Sequence, residues 1–143
     1  MNTEFELSSR LVVWGNELEP TKLAELLGID SVAASIATKG SPLFRSDGTP
    51  SGSVAKTGRL TVTFDKIYPD SRGDPETQLA KVAEILRSLG NPIMSLRGVE
   101  KAQLQLFFYY EVELAGEPDF VVPDSLIPEL ARHKLSFRIT ILP

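Results

Sequence analysis

Lys101-Ala102-Gln103-Leu104-Gln105-Leu106-Phe107-Phe108-Tyr109-Tyr110-Glu111-Val112-Glu113-Leu114 alternates from end to end. In an extended chain successive side chains point to opposite sides. One face therefore carries Ala102, Leu104, Leu106, Phe108, Tyr110, Val112 and Leu114, and the other Gln103, Gln105, Phe107, Tyr109, Glu111 and Glu113. The stretch is long for one strand, so a bend or bulge is expected within it. One face is apolar and one mixed. A sheet covered on both sides reads instead as unbroken apolar runs, so this strand belongs to a sheet packed on one side only.

Three further stretches alternate in the same way. Residues 4–14 set Phe5, Leu7, Leu11 and Val13 against Glu4, Glu6, Ser8, Arg10 and Trp14. Residues 59–65 set Leu60, Val62 and Phe64 against Arg59, Thr61, Thr63 and Asp65, and residues 135–142 set Leu135, Phe137, Ile139 and Ile141 against Ser136, Arg138 and Thr140. Between them lie three helical patterns. Residues 20–27 open on Pro20, repeat Leu23, Leu26 and Leu27, and stop at Gly28. Asp74-Pro75 opens a second helix that carries Leu79, Val82, Ala83, Leu86 and Leu89 up to Gly90. Ser125 is placed to cap a third, to about Arg132, with Pro128 in its first turn. Residues 31–58 are dominated by Ala, Ser, Gly, Thr and Pro, and read as one long loop, the kind of segment in which functional residues concentrate.

Four half-buried strands and three amphipathic helices predict a two-layer α+β sandwich. The expected sheet is four-stranded, mixed or antiparallel, with the helices on one face. Strand, short helix and strand recur in the two halves, around Glu25-Leu26 and Glu129-Leu130, which suggests a ferredoxin-like variant. At 143 residues the chain has the size of a single domain, 1–143.

Composition narrows the function. There is no Cys, so disulfides, thiolate metal sites and cysteine nucleophiles are excluded, and a cytoplasmic location is expected. The first residues lack a basic segment followed by an apolar run, and no stretch is apolar enough to span a membrane. The net charge of −4 argues against nucleic acid as the partner.

No chemical motif survives inspection. Gly52-Ser53-Val54-Ala55-Lys56-Thr57-Gly58 contains a Lys-Thr pair, but Ala55 stands where a phosphate loop needs glycine, and a strand follows rather than a helix. The Ser53-x-x-Lys56 spacing lacks the separate partners that serine-lysine acyl transfer requires. His133 is the only histidine and reads as a solvated turn residue. Arg72-Gly73-Asp74 spells an adhesion tripeptide, but Asp74 serves better as a helix cap. Glu111, Glu113, Glu117 and Asp119 lack calcium-loop spacing. No cofactor or metal is expected.

The run Arg10-Leu11-Val12-Val13-Trp14-Gly15, Glu19-Pro20 opening a Leu-rich helix, Thr38-Lys39-Gly40, Gly58-Arg59-Leu60-Thr61-Val62 and the ending from Pro123-Asp124-Ser125-Leu126 to Ile141 resemble the bacterial domain-of-unknown-function family 4279 over most of the chain. The chain has Leu60 where the family has Trp. The resemblance supports the fold and brings no activity or functional residues with it.

The mixed face should display Arg10, Trp14, Thr61, Gln103, Gln105, Phe107, Tyr109, Arg138 and Thr140. Aromatics, arginines and amides together are typical of contact surfaces. The expected function is a non-enzymatic protein-binding module, of an immunity or accessory type, meeting a protein partner or a second copy through Arg10, Trp14, Gln103, Gln105, Phe107, Tyr109 and Arg138. An acidic domain suits a basic partner such as a nuclease. Two alternatives stand beside it. One is a small-ligand binder or enzyme using the 31–58 loop through Lys39, Arg45, Ser53 and Lys56; the other is single-stranded RNA stacking on Phe107 and Tyr109.

Overall fold

A computed structural model of the chain describes residues 5–30, 32–110 and 120–142. The chain runs β1 (Phe5–Gly15), α1 (Pro20–Leu27), β2 (Ala34–Ala37), β3 (Pro42–Phe44), β4 (Pro50–Val54), β5 (Gly58–Thr63), α2 (Phe64–Ile67), α3 (Pro75–Ser88), β6 (Lys101–Tyr110), α4 (Leu126–Arg132) and β7 (Ser136–Leu142). Single 3-10 turns follow α2 and α3, at Pro69–Ser71 and Ile93–Ser95.

The main sheet has five strands in the order β2-β5-β1-β6-β7. It is mixed: β1 lies antiparallel to both β5 and β6, β2 antiparallel to β5, and β6 parallel to β7. The α+β class and the single apolar face follow the alternation. Leu7, Leu11, Val13, Leu60, Val62, Leu104, Leu106 and Phe108 share one core with Leu23 and Leu27 of α1, Leu79, Val82 and Leu86 of α3, and Leu126 of α4.

The strand and helix counts differ from expectation. Residues 31–58 are not one loop. β2 pairs along β5, Ala34 opposite Val62 through Ala37 opposite Arg59, and β3 and β4 pair with each other as a separate two-stranded sheet. These strands are three to five residues long and mix Ala, Ser, Gly and Pro with single large apolar residues or, in β3, an adjacent pair, and β3 and β4 start at Pro42 and Pro50. Backbone hydrogen bonding rather than apolar burial holds them, so no hydrophobic period marks them.

The alternation of residues 59–65 also ends early. Phe64 is fully buried, but it and Asp65 already belong to the turn of helix α2. The expected strand 101–114 is β6 as far as Tyr110, without a bulge in its register to β1; residues 111–114 lie outside those described. The acidic positions Glu111, Glu113, Glu117 and Asp119 lie outside them as well.

A ferredoxin-like duplication requires the two strand-helix-strand halves to be alike. They are not: β1 and β5 are antiparallel neighbours, whereas β6 and β7 are parallel neighbours bridged by α4. The helix caps split in the same way. Asp74 caps α3, its Oδ1 accepting from the Thr77 N–H at 3.3 Å and its Oδ2 from the Thr77 hydroxyl at 2.7 Å. Ser125 has helical dihedrals and its side chain makes no cap bond; the Leu126 N–H donates to Pro123 O at 3.0 Å, so the chain enters α4 through a turn begun at Pro123.

His133 is not a solvated turn residue. It is fully buried, where it joins three elements. Nδ1 accepts from the Ile93 N–H at 2.9 Å, and Nε2 lies 2.9 Å from Leu86 O, at the end of α3. A carbonyl only accepts, so Nε2 carries the proton and the ring is the neutral Nε2 tautomer. Desolvation drives its pKa below the ordinary value near 6.5, with Arg132 pushing the same way, while the Leu86 carbonyl and Glu129 oppose.

One end of the sheet is closed by glycines. Gly15 of β1 sits opposite Gly58 of β5, and a Cβ on Gly15 would lie 1.7 Å from Gly98 O. Gly98 itself has φ +84, in the left-handed region that favours glycine. The approach of Gly98 to Gly15 and to Glu17 O fixes where the 16–19 turn passes.

Candidate functional site

The side of the sheet away from the helices carries long polar and aromatic side chains, with Ser8 and Val12 buried among them. Across the strands the register sets Thr63, Arg10, Gln105 and Arg138 in one row, and Thr61, Val12, Gln103 and Ser136 in the next. A third row holds Arg59, Trp14 and Lys101; a fourth holds Ser8, Phe107 and Thr140. Pairing geometry alone brings Arg10, Trp14, Gln103, Gln105, Phe107, Tyr109 and Arg138 onto one surface. Arg10, Trp14, Gln103, Gln105 and Phe107 are half-buried, and Tyr109, Lys101 and Arg138 are exposed.

The 31–58 segment does not fold over this face. The β3–β4 hairpin meets it at one corner, where Leu43, Ala55, Lys56 and Thr57 join Trp14, Ala37 and Arg59 around a cavity of about 110 Å³. Of the residues proposed for a loop site, only Lys56 lines that cavity. Lys39, Arg45 and Ser53 are exposed along the hairpin and its turns, and the structure does not bring them together with Lys56.

Charge is distributed unevenly over the open face. At one end Arg72 lies 3.1 Å from Glu6 and 3.5 Å from the buried Asp65, and Asp65 also accepts from the Ser8 hydroxyl at 3.0 Å. These carboxylates are spent within the chain. Over the rest of the face stand Arg10, Arg59, Lys101 and Arg138, none of which forms an ion pair among the described residues. The Nε atoms of Arg10 and Arg59 are buried and lack a hydrogen-bond partner. An unpaired buried donor of a charged group is costly, and a carboxylate or phosphate oxygen is the acceptor that satisfies it best.

Each aromatic ring of the face is already capped by a cation. The Arg10 guanidinium lies 4.7 Å from the centre of the Phe107 ring, Lys101 Nζ 5.2 Å from that of Trp14, and Arg72 5.6 Å from that of Tyr109. Such contacts hold long cationic side chains flat on the sheet. Stacking a nucleobase on the covered side of Phe107 or Tyr109 would have to displace Arg10 or Arg72.

Arg59 and Lys101 were absent from the residues singled out by sequence, although the same alternation that selected Arg10 places both on this side. Among the described residues no group of three or more His, Asp and Glu side chains could hold a metal ion. No described helix is long and apolar enough to cross a membrane. Comparison with protein families, with curated proteins and with solved structures found no match to this chain.

Proposed function

We propose that the chain is a non-enzymatic binding module that engages an acidic protein surface with its open sheet face. The observation that carries this reading is the set of four cations, Arg10, Arg59, Lys101 and Arg138, gathered on one face of a chain whose net charge is −4. Phe107, Trp14 and Tyr109 provide the apolar ground beneath them, and Gln103 and Gln105 provide hydrogen-bonding groups at the centre. Aromatics and arginines in this combination are what interface hot spots use.

Net charge alone favours a basic partner such as a nuclease, as an immunity-type protein would meet. The local charge of the face favours the opposite, and local complementarity sets register and specificity at a contact. An accessory protein that covers an acidic surface of another protein fits the face, while the resemblance to family 4279 bears on the fold alone.

The test uses the chain as bait in lysate of its native host. Wild type, the double variant Arg10→Glu with Arg138→Glu, and the hairpin control Lys39→Glu with Arg45→Glu are compared. The expected result is an acidic protein retained by wild type and control and lost with the sheet-face variant. Retention by all three, or a captured partner that is basic, overturns the reading.

A further inference from the structure

The two edges of the main sheet differ. At one edge β2 is four residues long and the β3–β4 hairpin follows it directly, so little backbone is left open. At the other, β7 runs seven residues in unbroken register with β6 and ends the sheet. Among the described residues the one guard on this edge is the charge of Arg138: Ser136-Phe137-Arg138-Ile139-Thr140-Ile141-Leu142 holds no proline, lysine or bulge. Edges of this kind are templates for another strand, and proteins that remain monomeric usually guard them.

The apolar side of β7 is also incomplete. Its neighbours on β6, Leu104, Leu106 and Phe108, are 0%, 0% and 4% exposed. Phe137, Ile139 and Ile141, in register beside them, are 38%, 50% and 61% exposed. Burial thus falls away from β6 to β7, and the apolar side chains of the edge strand are left exposed.

We propose that β7 pairs antiparallel with β7 of a second copy of this chain, about a two-fold axis through Ile139 that joins two five-stranded sheets into one of ten. The sequence of the strand selects both occupant and register. Centred on Ile139, all seven residues find partners in the second copy: Ile139 opposite Ile139, Phe137 opposite Ile141, Arg138 opposite Thr140 and Ser136 opposite Leu142. Apolar meets apolar on the helix side, and no charge meets its like directly. Centring on Arg138 would set two guanidinium groups face to face, and centring on Thr140 would shorten the pairing. An axis perpendicular to the sheet keeps the helices of both copies on the same side, and such an isologous contact closes on itself. Joining the edges removes on the order of 1,000 Å² of total surface, at the low end for specific interfaces. A dimer that forms at micromolar concentration is therefore expected. The contact lies at the edge of the sheet and leaves Arg10, Arg59 and Lys101 accessible; Arg138, on β7 itself, belongs to both surfaces, and Ile139→Lys, which keeps all four cations, separates dimerisation from acidic-partner binding.

The chain has no cysteine, so a single introduced thiol reports the register directly. Ile139→Cys sits on the axis and should form a disulfide-linked dimer under mild oxidation. Ser136→Cys sits at the strand end, where the two thiols are far apart, and should remain uncoupled. Sedimentation of the wild type over about 1 to 200 μM should show growth from monomer to dimer. Ile139→Lys places two ammonium groups on the axis at a half-exposed position, and should sediment as a monomer with an unchanged circular dichroism spectrum. A wild type that remains monomeric over the whole range, an Ile139→Lys chain that still dimerises, or equal coupling at positions 136 and 139 overturns the proposal.

Discussion

Lowering the pH from 8 to 5.5 should destabilise the fold through His133, and the size of the effect follows from its surroundings. The ring is fully buried, accepts from the Ile93 N–H and donates to Leu86 O. Protonation removes the acceptor for Ile93 and places a charge where no water reaches. Its folded pKa is accordingly held below the ordinary value near 6.5. A histidine whose folded pKa is depressed binds its proton first in the unfolded chain. Its stabilising contribution is therefore fully present above about pH 6.5 and declines as the pH falls below that value, until the folded ring itself is protonated. Within this window one such group changes stability by up to about 1.4 kcal/mol per pH unit.

Urea denaturation at half-unit steps from pH 8 to 5.5 measures that slope, before most carboxylates begin to titrate. His133→Gln provides the comparison: it removes the titration and should flatten the slope. Its stability at pH 8 should be lower by about 1 to 3 kcal/mol, because the Gln side-chain amide does not span from Leu86 O to the Ile93 N–H as the ring does and leaves a buried group unpaired. Equal slopes in wild type and variant would refute the assignment of His133 as a buried neutral link between α3, the Ile93 turn and α4.

Burial should separate by parity along β6: Leu106→Ala, at a fully buried position, should cost about 2 to 5 kcal/mol, and Gln105→Ala about 0.5 kcal/mol or less, by thermal or chemical denaturation. Phe107→Ala should cost about 1 to 2 kcal/mol, since the ring is half-buried and has the Arg10 guanidinium over it; a loss as large as that of Leu106→Ala would place Phe107 in a covered core. Gly15→Ala should destabilise by about 3 kcal/mol or more, because its Cβ would fall 1.7 Å from Gly98 O; a near-neutral result would mean that the backbone at Gly98 can move aside.

The parts of the fold that were legible in the sequence are those held by apolar alternation. β1, β5, β6 and β7 each carry large side chains every second residue, and α1 and α3 carry Leu or Val at helical spacing between a proline start and a stop. β2, β3 and β4 carry no such pattern. They are held by backbone pairing to a neighbour that only the folded chain provides, as Ala37 is to Arg59. His133 misleads for a related reason. Its neighbours Arg132 and Lys134 are charged, and the bonds that bury it come from residues 40 and 47 positions earlier. The direction of the β6–β7 pairing is likewise set by α4 crossing between them, which alternation does not encode.

For the site, alternation was enough to gather Arg10, Trp14, Gln103, Gln105, Phe107, Tyr109 and Arg138 on one face. It could not supply the pairing of Glu6 and Asp65 with Arg72, since Arg72 comes from the turn after α2. That pairing ties both carboxylates of the acidic end to Arg72 and leaves Arg10, Arg59, Lys101 and Arg138 as the cations without an ion pair on the face. The expectation of a basic partner came from net charge alone, before the distribution of charge was visible.

The most direct measurement of the central claim is a titration of isotope-labelled protein with polyglutamate, followed by amide NMR shifts at low and at moderate salt. The account predicts shifts concentrated at Arg10, Arg59, Lys101, Gln105, Phe107 and Arg138, weakened by salt and lost in the Arg10→Glu, Arg138→Glu variant. Shifts centred on Lys39 and Arg45 of the hairpin, on the helix side of the sheet, or persisting in that variant would contradict it.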